Sequence, residues 1–133
     1  MGLIEDLQNS INSYNNMIAS NREKIRRLKV TKAELKGAKT SIEEYKDNWT
    51  RVAENFTADT TWTGAHKTYE NYRAGSAIIS DYNTYISNID SDLDAVVDKI
   101  TALENQIIEW QGAIGWLSAR INSLLAELEK ATN

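Results

Sequence analysis

From Ile79 to Leu128 the chain places a large apolar residue at every alternating step of three and four: Ile79, Tyr82, Ile86, Ile89, Leu93, Val96, Ile100, Leu103, Ile107, Trp110, Ile114, Leu117, Ile121, Leu124 and Leu128. A helix gathers positions so spaced into one stripe, whereas a strand would need period two. A stripe of this length predicts one long helix that needs another helix to cover it.

The amino-terminal part supplies a candidate cover. Ile4, Ile11, Ile18 and Ile25 alternate with Leu7, Tyr14, Asn21 and Leu28 in the same rhythm. Asn21 is the one polar residue in that stretch of seam, suited either to fixing register or to meeting solvent where the stripe drifts. Beyond Leu28 the apolar pattern reads as a three-residue slip. Lys32 and Lys39 fall on the old seam, while Leu35, Ala38, Ile42, Tyr45, Trp49, Val52 and Phe56 make a new one. A slip of this kind overwinds a coiled coil locally or turns the helix toward a different neighbour.

No proline occurs in the 133 residues, and a chain without proline has few forced breaks in its helices. The one strong break is Thr57-Ala58-Asp59-Thr60-Thr61-Trp62-Thr63-Gly64. Its threonines and aspartate favour caps and turns over helix interiors. The expected fold is therefore all-α: a long antiparallel helical hairpin forming one domain over 1–133. Helix 1 covers about 2–57, the turn about 58–64 and helix 2 about 65–130. Cap-forming residues at 87–92 allow helix 2 to be kinked or split there, although the stripe keeps phase through them. Folding about residue 60 sets Phe56 near Gly64, Trp49 near Tyr72, Tyr45 near Gly75 and Ala38 near Tyr82, with large residues facing small ones twice. In that register the first arm runs out near Leu117, so Leu124 and Leu128 overhang.

Several functions lack parts. The formal charge of −4 opposes a phosphate-binding surface, so no nucleic-acid partner is expected. His66 is the only histidine and there is no cysteine, which leaves zinc sites and Cys/His nucleophiles without ligands or bases. The acids of Asp90-Ser91-Asp92-Leu93-Asp94 lack the glycine and distal glutamate of a calcium loop. No enzyme activity, cofactor or metal is expected. No apolar run is long enough for an integral membrane segment, and no Sec-type signal opens the chain.

A second face of helix 2 points to protein binding. Ile108, Gly112, Gly115, Trp116 and Ala119 share one side, away from the seam. Small residues let another backbone approach, and Trp is a frequent interface anchor. The alternative is that the two glycines mark a kink. With Leu124 and Leu128 of the overhang, these are the candidate partner-binding residues.

Trp62-Thr63-Gly64 lies in the one strong turn, between two amphipathic arms; the second such match, Trp110-Gln111-Gly112, lies inside an unbroken stripe. A helix, a Trp-x-Gly turn carried by Trp62 and Gly64, and a second helix resemble the WXG-motif proteins of type VII secretion. Among these the chain looks most like the small helical accessory proteins of LXG-type polymorphic toxins in Gram-positive bacteria. The resemblance implies a targeting or chaperone subunit that binds the toxin's helical amino-terminal domain, together with a second small helical accessory protein. It implies residence in the cytoplasm before export, with co-secretion of the complex as one outcome. Export signals of that family read Tyr-x-x-x-Asp/Glu, and no tyrosine here has that spacing. Three expectations fit: a passenger whose partner carries the signal, a chaperone that stays behind, or a longer protein whose signal lies outside this sequence. From a different class comes the expectation of a self-associating structural coiled coil, a homodimer or larger.

Overall fold

The computed structural model describes the helical backbone of residues 2–59 and 65–132, and side-chain surroundings for residues 2–51 and 77–132. Helix α1 runs Gly2–Asp59 and α2 runs Ala65–Thr132. The two helices pack against each other as a helical hairpin, and no strand occurs among the described residues. Helix α2 passes through 87–92 and through Gly112 and Gly115 without interruption. The turn residues Trp62 and Gly64, and the side chains of Phe56, Tyr72 and Gly75, lie outside the described residues.

The contacts divide into two units, Met1–Lys29 with Asp98–Asn133, and Val30–Val97. The first holds every buried side chain among the described residues: Ile11, Ile18, Asn21 and Ile25 from α1 with Ile100, Leu103, Ile107 and Leu117 from α2. These are seam positions of both stripes, so the apolar periodicity directly selects the core. Asn21, only 4% exposed, resolves its two readings in favour of register. Its side-chain amide donates to the Leu103 carbonyl at 3.4 Å and to Gln106 Oε1 at 3.0 Å. A buried amide is tolerated only where such acceptors meet it, so this residue favours one alignment of the helices.

That alignment corrects the expected one. Folding about residue 60 would bring Asn21 opposite residue 99, yet its amide meets the Leu103 carbonyl and the Gln106 side chain, four and seven residues further along. Registers one heptad apart bury nearly the same apolar set, and a polar seam residue discriminates between them. The correction shortens the overhang. Ile121 and Leu124 are partly buried, whereas Leu128 is exposed.

In the second unit the expected slip does not occur. The partly buried positions of α1 continue as Lys32, Leu35, Lys39, Ile42, Lys46 and Trp49, and Ala38 and Tyr45 are exposed. The original stripe is kept, with lysines at three of its positions. Their aliphatic stems cover the seam while the ammonium groups reach its edge. Lys39 Nζ lies 2.7 Å from Asp90 Oδ1, and this hydrogen bond, opposed by some desolvation, raises the Lys39 pKa above its ordinary value. The α2 stripe from Ile79 to Val96 is partly buried throughout, in the predicted phase.

The described side chains of this unit are packed less completely than those of the first. None of its described side chains is buried in the way that Leu103 is, and the Trp49 indole N–H is enclosed without an acceptor. An unmet buried donor costs about 1–3 kcal/mol. The kept phase makes a simple prediction. Tyr45→Ser should leave the unfolding free energy within about 0.5 kcal/mol, as for other exposed positions. Ile42→Ala should cost about 1–2 kcal/mol, the lower end for a partly buried aliphatic truncation. Urea melts of the two variants check both values; the reverse order would restore the slipped seam.

Candidate partner-binding face

The carboxyl-terminal half of α2 carries two opposite sides. Ile100, Leu103, Ile107 and Leu117 face α1 and are buried. The helical repeat turns Ile108, Gly112, Gly115 and Ala119 away from that seam, with Trp116 on their flank. All five are exposed, Ile108 at 64% and Trp116 at 67%. An exposed Leu is ordinary, but an indole and an isoleucine flanking two glycines form a patch of the kind that marks interaction sites. The structure thus brings together the five residues of the predicted face. Leu124 is separate from them, partly buried on the seam side, and Leu128 lies beyond it, 56% exposed.

Neither glycine is demanded by the hairpin itself. A Cβ built on Gly112 or on Gly115 meets nothing within 4 Å, and neither has a positive φ. Glycine inside a helix costs about 0.5–1 kcal/mol relative to alanine. Two such costs on one open face, with no packing reason among the described residues, leave a backbone surface accessible to an incoming group.

Trp116 also lines a shallow groove with Ser10 and Tyr14 of α1 and with Ala113 and Leu117 of α2. The apolar surface therefore continues from the back of α2 toward α1, where Leu3 and Met17 are exposed as well. This extension lies outside the predicted face. Its signal was available: Leu3, Ser10 and Met17 repeat every seven residues, immediately before the seam positions Ile4, Ile11 and Ile18. An apolar or small column beside a seam widens the surface a partner can cover.

The charges of the two helices behave differently. On α1, Arg26 and Arg27 both pair with Glu23, at 2.7 and 3.2 Å. The hydrogen bond from Arg26, more than any other contact, lowers the Glu23 carboxyl from 4.5 to about 2. These are pairs at helical spacing on a solvated face. On α2, the exposed Lys99, Glu109, Arg120 and Glu127 form no ion pair among the described residues. No group of three His, Cys, Asp or Glu able to hold a metal occurs among the described residues. No helix there is long and apolar enough to cross a membrane.

The chain belongs to the YwqH-like family, whose family model matches residues 2–126. That span includes the seam, the open face and the groove beside it. No curated protein and no solved structure matches the chain.

Proposed function

We propose that this protein is a non-enzymatic accessory or chaperone subunit that binds the helical amino-terminal domain of an LXG-type toxin and promotes its export by type VII secretion. Family membership over residues 2–126 carries the reading, because YwqH-like proteins are associated with LXG toxin systems. The Trp62-Thr63-Gly64 sequence in the predicted turn adds the WXG resemblance. The open face with Ile108 and Trp116 supplies a surface suited to a helix.

In this reading the hairpin adds its two helices to those of the toxin, and a second small helical protein completes the bundle. Trp116 is the anchor, Gly112 and Gly115 admit the partner backbone, and Leu128 extends the contact. The complex assembles in the cytoplasm, and the partner supplies whatever signal the export machine reads.

Co-expression tests the proposal. A tagged copy should co-purify with the amino-terminal domain of an LXG-type toxin encoded in the same gene neighbourhood, as a complex of defined stoichiometry. A folded chain that ignores that domain, alone and with the neighbouring small helical protein present, would overturn it.

A further inference from the structure

Two exposed charges beside the open face of α2, Glu109 and Arg120, have a pattern that one kind of partner satisfies. Glu109 has no basic residue three or four positions away, and Arg120 has no acid. Their pairing therefore has to come from outside their own helix. We propose that the open face of α2 is self-complementary, and that in the free chain it is covered by the same face of a second copy, antiparallel, about a twofold axis.

The alignment follows from the large and small residues. With Trp116 of one copy opposite Gly112 of the other, Ile108 falls beside Ala119. Large side chains then meet small ones on both sides of the axis, as close packing requires. The same alignment sets Glu109 beside Arg120 of the second copy. A twofold axis makes every such pair occur twice, as an isologous interface demands. All of these residues are exposed in the hairpin, so nothing within the described chain has to move away first.

Area permits the pairing. The chain presents 9708 Å² of accessible surface, about 2,700 Å² more than a compact monomer of 15.0 kDa would show. A standard interface covers about 800 Å² per partner. The occupant follows from charge: a second copy brings the opposite sign to both Glu109 and Arg120, at positions fixed by the Trp116–Gly112 contact.

The inference concerns the chain alone and holds or fails independently of the toxin reading. If both hold, the second copy and the toxin compete for Trp116, so the toxin binds only after the pair separates. Self-pairing would then cover an apolar face until its partner arrives.

Sedimentation of the isolated full chain tests the inference, with no toxin present. The wild type should sediment at twice the 15.0 kDa chain mass, and Glu109→Arg should sediment as a monomer. Glu109→Arg combined with Arg120→Glu should restore the dimer. Gly112→Leu should also be monomeric, with circular dichroism and thermal melting of a folded hairpin, since a Cβ there meets nothing within 4 Å and the position is exposed. A wild type that stays monomeric, a dimer indifferent to Glu109→Arg or to Gly112→Leu, or a double exchange that fails to restore pairing would each overturn it.

Discussion

Leu103→Ala should lower the unfolding free energy of the hairpin by about 3 kcal/mol, within the range of about 2–5 kcal/mol for truncating a buried leucine. Leu103 is 4% exposed, the most enclosed apolar side chain among those described. It packs in the unit that holds Ile11, Ile18 and Ile25 of α1 and Ile100 and Ile107 of α2. Two helices enclose a seam from two sides only, so the site can collapse more readily than the centre of a larger core, which sets the expectation below the upper end of the range. The equivalent change in the other unit, Leu35→Ala, should cost less than half as much, because Leu35 is only partly buried. Urea denaturation of both variants reads the difference. Equal costs would mean that the apolar seam is not concentrated where the buried residues place it.

Asn21→Leu should act in the opposite direction on stability and weaken specificity. The wild-type amide is almost fully enclosed and meets two acceptors, the Leu103 carbonyl and Gln106 Oε1. Neither is stranded by the change: the carbonyl lies within the α2 helix and the Gln106 side chain is exposed. A leucine, alike in branching though bulkier, then exchanges a hydrogen-bonded amide for apolar contact, with an expected gain of about 1–2 kcal/mol. What is lost is the residue that distinguishes this register from one displaced by a heptad. Cysteines placed to cross-link α1 to α2 in the native register should close completely in the otherwise unaltered chain. In Asn21→Leu a fraction should instead close with cysteines one heptad away. A variant that melts higher and still closes only in the native register would remove Asn21 from its assigned part.

The stripe of α2 was legible because it is apolar at every position, and the structure buries or partly buries it from Ile79 to Leu124. Helix type and hairpin architecture follow from that periodicity and from the proline-free composition. The second half of α1 was misread for a specific reason. Leu35, Ile42 and Trp49 belong to both candidate stripes, so over residues 32–49 the two differ only in Lys32, Lys39 and Lys46 against Ala38 and Tyr45. Hydropathy prefers the second set. The lysines occupy the seam instead because α2 keeps its phase and Asp90 meets Lys39 from its edge. Neither fact is visible in α1 alone. The expected register is displaced from the observed one by four to seven residues at Asn21, since a heptad pattern repeats itself and the turn gives no precise centre.

The candidate face was more legible than the register. Its exposure needs only the direction of five side chains on one helix, which the helical repeat fixes once the seam is known. Its continuation into the groove with Ser10 and Tyr14 required both helices and their true alignment. Trp62 and Gly64, which carried the resemblance, lie outside the described residues. The functional reading therefore leans on family membership and on Trp116 rather than on the turn.

Titration calorimetry of the hairpin with the helical amino-terminal domain of an LXG-type toxin from its gene neighbourhood tests the central claim most directly. The account predicts saturable binding by the wild type. It predicts a loss of about 30-fold or more in Trp116→Ser, the scale of a central aromatic anchor worth 2 kcal/mol or more. The melting curve of that variant should match the wild type, because the side chain is 67% exposed. Equal affinity in the two proteins, or no binding by the wild type, would contradict it.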